Sequence, residues 1–137
     1  MNDRGERTSM TAALVYYARI VGDGERAGRR TPGEICRRIE GVLGTRTQLC
    51  IDVMAAGECL FILEVLGETE VLLAVREIYV KPFSKSPLRT VTKNEISMRV
   101  LRFATENHLD ERTVYRRLRR ARELWHRTRD NLINNYK

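Results

Sequence analysis

Apolar residues recur at helical spacing along this sequence, and that periodicity constrains the fold more than any other feature. Between residues 110 and 131, one face of the predicted helix carries Val114, Leu118, Ala121 and Trp125. Leu118, Ala121 and Trp125 fall within about 40° of Val114 when each residue advances by 100°. No stretch alternates apolar and polar residues in the manner of a strand. The sequence therefore predicts an all-α fold.

Capping and stop signals divide the chain into helices. Thr31 and Pro32 suit the start of one helix and Gly44 its end, while Gly67 ends a longer helix that begins at Thr47. The predicted helices cover residues 10–21, 32–43, 47–66, 68–80, the segment from a cap at Thr92 or Asn94 to about 107, and 110–131. Loops that contain glycine or proline are expected at 22–30 and 81–92.

The predicted helix at 47–66 is apolar on most of its surface. Its expected core-facing residues are Ile51, Met54, Ala55, Ile62 and either Val65 or Leu66. Leu60, Phe61 and Leu63 add apolar surface on its other sides. A helix of this kind is either central in the fold or shared with a partner chain. We therefore predict that the N-terminal helices form a homodimer.

Positive charge is concentrated in the last third of the chain. The formal net charge is +7, and eleven of the 25 Lys and Arg residues but five of the 18 Asp and Glu residues lie between Arg99 and Lys137. Within residues 111–129, eight arginines accompany two acids, Glu111 and Glu123. Because a solvated helix face usually mixes the two signs, this bias predicts a polyanionic partner.

The last two predicted helices have the arrangement of a helix-turn-helix. Ala104 is small where the two helices must approach closely, Leu109 can plug the turn at His108, and Asp110 can cap the second helix. In such a unit the second helix enters the major groove of double-stranded DNA and the first crosses the backbone. Arginine suits this role because its planar fork binds guanine edges or phosphates through two hydrogen bonds.

This interpretation assigns roles to individual side chains. The predicted base-reading residues are Arg112, Tyr115, Arg116 and Arg119. The predicted phosphate-binding residues are Arg99, Arg102, Arg117, Arg120 and Arg127, with Lys81, Lys85 and Arg89 of the preceding loop as weaker candidates. Tyr115 could equally rest on a neighbouring helix, and Trp125 is expected in the core.

The segment HLDERTVYRRLRRARELW, residues 108–125, resembles the DNA-binding fourth region of bacterial sigma factors. The matching positions are Thr113, Val114, Leu118, Arg120, Ala121, Arg122, Leu124 and Trp125. The resemblance covers about residues 94–126 and implies a DNA-binding helix-turn-helix that also suits RNA polymerase as a partner. His108 stands where the family usually has glycine in the turn, and Asp110 stands for the common capping serine.

The chain as a whole resembles phage-encoded transcriptional regulators of the ArpU/RinA type. It has no room for the sigma region that melts a promoter, and residues 1–65 show no aromatic-rich basic helix. The sequence predicts three parts: a disordered tail at 1–9, a helical interaction region at 10–66, and a sigma-like helix-turn-helix domain at 68–137. The resemblance implies a sequence-specific regulator of transcription.

Other classes of protein find less support in the sequence. Cys36, Cys50 and Cys59 have no C-x-x-C spacing and are expected as buried free thiols, so neither a metal site nor a cofactor is predicted. No catalytic motif is present, which favours a protein that is not an enzyme. No apolar run reaches the ~18 residues of a membrane span, and the polar N-terminus is unlike a secretory signal, so we expect a cytoplasmic protein.

Two further functions stay open. The acids Glu58, Glu64, Glu68 and Glu70 are a candidate docking surface for RNA polymerase. In that version the chain is an interaction module whose contact with nucleic acid is secondary. An RNA-binding antiterminator is the other alternative, although the 7% aromatic content argues against stacking on single strands.

Overall fold

The computed structural model describes residues 10–21, 32–45, 47–81 and 93–135 of the protein. Within these ranges the chain is helical and contains no strand, which confirms the all-α prediction. The helices are α1 (Met10–Val21), α2 (Pro32–Leu43), α3 (Gln48–Val65), α4 (Thr69–Val75) with a π-helical continuation (Arg76–Val80), α5 (Lys93–Glu106) and α6 (Glu111–Asn135). The predicted tail at 1–9, the cap at Thr31 and most of the 81–92 loop lie outside the described residues.

Helix α3 is the centre of the fold. Thr47 caps it, since its hydroxyl oxygen accepts a hydrogen bond from the Cys50 backbone N–H at 3.1 Å. The helix packs against α1, α2, α4 and α6, which explains why it is apolar on most of its surface. One part of the predicted core face is wrong: Val65 and Leu66 are exposed, whereas Leu63 is fully buried.

Helices α1 and α3 approach each other closely at a glycine. A Cβ atom built on Gly57 would lie 2.5 Å from Cε1 of the buried Tyr17, so no larger residue fits there without a shift. The same end of the molecule is held by Arg38 on α2, whose Nε donates to the Ile20 carbonyl oxygen at 2.6 Å. These contacts place α1 and α2 around the first half of the core.

A buried polar cluster joins α3 to α6. Asp52 on α3 is fully buried, and its Oδ1 accepts hydrogen bonds from Arg129 Nε at 2.5 Å and from Gln48 Nε2 at 3.0 Å. The Trp125 indole N–H donates to the Asp52 carbonyl oxygen at 3.1 Å. A buried indole is thus both packed and hydrogen-bonded, as predicted for a core tryptophan. The cluster fixes the register of α6 on α3.

The two predicted regions of the chain, 10–66 and 68–137, share one hydrophobic core. The buried cluster runs without interruption from Leu14 on α1 through Leu63 on α3 to Leu118 on α6. Cys59 on α3 is also in contact with α6, because its Sγ lies 3.6 Å from the Ala121 carbonyl oxygen. The position of α6 is therefore set by the N-terminal half of the chain as well as by α5.

All three cysteines are free thiols. Cys50 and Cys59 are buried as predicted, whereas Cys36 on α2 is only half-buried. Burial raises the pKa of Cys59 to about 12, so this thiol stays protonated. Among the described residues no helix is both long enough and apolar enough to span a membrane.

The turn between α5 and α6 is a Schellman motif. The Leu109 N–H donates to the Ala104 carbonyl oxygen at 2.8 Å, and the His108 N–H donates to the Thr105 carbonyl oxygen at 3.3 Å. His108 occupies the left-handed position of the motif, with φ at 55°. Leu109 packs against the core beneath the turn, as predicted. A glycine at position 108 would adopt this conformation with less strain than a histidine.

We expect His108→Gly to raise the free energy of unfolding by about 1 kcal/mol, because glycine adopts the left-handed conformation without the strain of a side chain. Urea denaturation at neutral pH measures this change. Asn107→Gly is the matched control: Asn107 has a negative φ and its side-chain amide donates to the Phe103 carbonyl oxygen at 2.8 Å. That control should lose stability. Equal losses in both variants would contradict the assignment of strain to His108.

Candidate nucleic-acid interface

Helix α6 is a 25-residue helix with one buried side and one basic side. Asp110 precedes it, and its Oδ1 accepts a hydrogen bond from the Arg112 N–H at 3.3 Å, which places the predicted cap at the helix N-terminus. The helix extends four residues beyond the predicted end at Asn131, to Asn135. Leu132 and Ile133 are half-buried in this last turn, so packing against the core continues there.

The buried side of α6 matches the predicted row. Its buried residues are Val114, Leu118, Ala121, Leu124, Trp125 and Thr128. This row packs against α3, α4 and α5. The opposite side of the helix must therefore face outward, because 3.6-residue periodicity places it about 180° away.

Three of the four predicted base-reading residues are arginines on this outward side. Arg112, Arg116 and Arg119 are all exposed, and no carboxylate among the described residues lies within ion-pair distance of them. Tyr115, the fourth, lies beside them with 42% of its surface exposed. The structure therefore brings these four side chains together on about two turns of one helix, with their charged groups in solvent.

Two predicted phosphate contacts, Arg117 and Arg120, lie on the flank of α6 that faces α4. Arg120 is half-buried: its Nε and Nη2 donate to the two carboxylate oxygens of Glu68 at 3.1 and 2.6 Å. Arg117 Nη2 lies 3.7 Å from Glu70 Oε1. Their charges are thus partly neutralised within the chain, unlike those of the outward arginines.

Arg99 on α5 has a structural partner as well. Its Nη1 donates to the carbonyl oxygens of Lys81 at 2.7 Å and Ile78 at 3.1 Å, with that of Glu77 at 3.5 Å. These carbonyls lie at the end of the π-helical turn, so the guanidinium caps that turn. Burial, together with the nearby charge of Arg102, lowers the pKa of Arg99.

The remaining predicted phosphate contacts are exposed. Arg102 lies on the outer side of α5, and Arg127 lies two turns beyond Arg119 on the basic side of α6. Lys81 is also exposed, but its Nζ lies 3.4 Å from Glu77 Oε1. Lys85 and Arg89 fall outside the described residues. Arg102 and Arg127 thus extend the exposed basic surface beyond the central arginines.

Sequence reasoning missed two features of this surface. Arg122 is exposed on α6, although it was assigned no contact with DNA on the basis of the sequence. Glu68 and Glu70, considered as a docking surface, instead border the arginine side by pairing with α6. Only the pattern of charges along the helix could have indicated Arg122, whereas the two glutamates are more than forty residues distant in sequence.

We expect Glu68→Gln to weaken the acid dependence of stability. The hydrogen bonds from Arg120 lower the pKa of Glu68 below its usual 4.5, so the ion pair stabilises the fold above that pH. This stabilisation is lost as the pH falls through the lowered pKa of the folded state. At neutral pH the variant should lose less than about 1 kcal/mol, because both partners are partly exposed.

Thermal unfolding from pH 7 down to pH 3 measures this effect. Wild type and Glu68→Gln should differ at neutral pH and converge at the acid end. Glu70→Gln is the control, since Glu70 is 81% exposed and lies 3.7 Å from Arg117. Its profile should follow that of the wild type. A constant offset between Glu68→Gln and wild type at every pH would count against the ion pair as the cause.

Comparison with protein-family models found no match, and comparisons with curated proteins and with solved structures also found no matching protein.

Proposed function

We propose that this protein is a sequence-specific, double-stranded-DNA-binding regulator of transcription whose recognition helix is α6. The observation that carries the proposal is the exposed set of Arg112, Arg116 and Arg119, which have no carboxylate partner among the described residues. Like charges on adjacent turns repel one another, so they cost stability unless a polyanion neutralises them. Duplex DNA supplies such a polyanion, and its guanine edges accept bidentate hydrogen bonds from arginine.

The proposed docking uses α5 and α6 as a helix-turn-helix. Arg112, Tyr115, Arg116 and Arg119 would face base edges in the major groove. These residues span about 10 Å along the helix, which corresponds to about three base pairs. Arg102 and Arg127 would hold phosphates on either side. Arg99, Arg117 and Arg120 carry less weight in this proposal, because each already has a partner within the chain.

Selection from a random duplex-DNA library with the full chain, at physiological salt, tests the function. An enriched motif supports a specific regulator, and half-sites in inverted repeat about 10 base pairs apart would also support the homodimer. The affinity for the selected site should fall with salt at a slope of about −5 in log units if six phosphates are neutralised. Binding without enrichment, present only at low salt, would overturn the proposal of sequence-specific recognition.

The same proposal extends to the partner proteins and to the cellular location of this protein. A homodimer through the N-terminal helices would pair the outer sides of α1 and α2, where Tyr16 and Val42 are 38% and 63% exposed. Sedimentation equilibrium of the purified chain tests it, and a monomer at high concentration would exclude it. Binding to RNA polymerase, tested with the purified enzyme, is the expectation that follows from the sigma-like segment. A phage-related role rests on the resemblance to phage regulators, and a cytoplasmic location remains an expectation from the sequence.

A further inference from the structure

The C-terminal end of α3 presents three large apolar side chains to solvent. Phe61, Val65 and Leu66 are 59%, 65% and 57% exposed, respectively. Phe61 and Val65 are one helical turn apart on one side of α3, and Leu66 follows at the helix end about 100° further round; these three exposed side chains are named here the α3 apolar row. Single exposed apolar residues are ordinary, but three adjacent ones indicate a surface that another molecule covers.

Two exposed acids flank the α3 apolar row. Glu58 and Glu64 are exposed and lie about 60° to either side of Phe61 on the helix. Residues 47–75, which form α3 and α4, contain five acids and no lysine or arginine; three of these acids pair with arginines of α6, which leaves Glu58 and Glu64 to flank the row. This segregation of charge gives the row an acidic rim. Such a rim repels nucleic acid and attracts a basic partner.

A second copy of this chain fits the row poorly. A two-fold contact would place Glu58 and Glu64 near the same residues of the other copy, where like charges repel. The strongly basic helix of this chain, α6, offers no apolar row, because Val114, Leu118 and Trp125 are already buried. The chemistry of the row therefore favours an occupant from a different protein.

We propose that the α3 apolar row binds an amphipathic helix of a partner protein, in which lysine or arginine residues flank an apolar stripe. Phe61, Val65 and Leu66 supply the apolar contact, and Glu58 and Glu64 pair with the flanking cations. The row lies on a different helix from the arginine side of α6. The protein can then hold a basic partner and a polyanion through separate surfaces.

A synthetic helical peptide provides the test, in the absence of any DNA. The probe is a fluorescently labelled 18-residue peptide with leucines at helical spacing flanked by lysines, and fluorescence anisotropy measures its binding to the full chain. A peptide of the same composition in scrambled order and one with glutamate for lysine serve as probe controls. We expect both controls to bind at least about tenfold more weakly than the probe.

Substitutions in the protein test whether the probe binds at the α3 apolar row. Phe61→Ser and Val65→Ser should each weaken binding of the probe about tenfold. The double variant Glu58→Gln with Glu64→Gln should reduce both the affinity for the probe and the salt dependence of that affinity. Val42→Ser is the matched control: Val42 is 63% exposed but precedes α3, and position 61 lies about 20 Å along that helix from its start. It should bind the probe like the wild type. Circular dichroism verifies that every variant is folded.

Three results would overturn the proposal. The first is equal binding of the probe and its scrambled control. The second is binding that Phe61→Ser and Val65→Ser leave unchanged while the variants remain folded. The third is a dimer in sedimentation equilibrium that Val65→Lys dissociates, since a second copy would then occupy the row. Because no DNA is present, none of these results depends on the function proposed for α6.

Discussion

Replacing Arg129 with methionine is expected to lower the free energy of unfolding by about 3–5 kcal/mol. Arg129 is the charged partner of Asp52, whose side chain is fully buried between α3 and α6. Without the guanidinium, the carboxylate keeps only the amide of Gln48 at 3.0 Å, and Asp52 Oδ2 already has no hydrogen-bond partner among the described residues. The substitution also removes the cation–π interaction of Arg129 with Trp125, in which the guanidinium carbon lies 5.8 Å from the ring centroid.

Urea denaturation followed by circular dichroism measures this loss of stability. Arg127→Met is the matched control, because Arg127 is exposed two residues away on the same helix and should change stability by less than about 0.5 kcal/mol. Combining Asp52→Asn with Arg129→Met should recover part of the stability, since the buried charge is then removed as well. If Arg129→Met were as stable as Arg127→Met, the ion pair could not be what holds α6 in register.

The variant Arg116→Ala with Arg119→Ala is expected to weaken binding to the selected duplex by about 2–6 kcal/mol, because each arginine that reads a base should supply about 1–3 kcal/mol. Both side chains are exposed and have no carboxylate partner among the described residues, so their removal should leave folding intact. The preference for the selected sequence should weaken together with the affinity. Phosphate contacts carry no sequence information, whereas the bidentate hydrogen bonds to base edges do.

A control of equal charge separates specific recognition from general attraction. Arg19→Ala with Arg37→Ala also removes two exposed positive charges, but these residues lie on α1 and α2. This control should bind more weakly by less than about 1 kcal/mol and should keep the sequence preference. Electrophoretic mobility shifts with the selected duplex and a shuffled duplex measure both quantities. Equal effects of the two pairs of substitutions would show that α6 does not read bases.

The helix bounds illustrate how much of the fold could be predicted from local signals. Helix α1 begins and ends at the predicted Met10 and Val21, and α3 begins after its predicted cap at Thr47. Gly44 and Gly67 end their helices with φ at 88° and 74°. Caps, stops and apolar spacing act between residues a few positions apart, so they are visible in a linear sequence. The π-helical turn at Arg76–Val80 was predicted only as ordinary helix.

The candidate nucleic-acid interface could likewise be predicted only in part from local sequence signals. The amphipathic pattern of α6 was enough to place Val114 and Trp125 in the core and Arg112, Arg116 and Arg119 on the opposite side. Nothing in that pattern distinguishes these arginines from Arg99, Arg117 and Arg120. Each of the latter has a partner on another element, and those partners lie between 18 and 52 residues away in sequence.

By itself, the sequence determined that this protein is helical, where most of its helices begin and end, and which side of α6 carries the arginines. The tertiary structure alone decided which arginines keep their charge exposed, which end of α3 remains uncovered, and that Asp52 pairs with Arg129 across 77 residues. The physical reason is the distance along the sequence over which each effect acts. Helical periodicity and capping depend on neighbours within about two turns, whereas burial and ion pairing depend on which distant segments the packed core brings together.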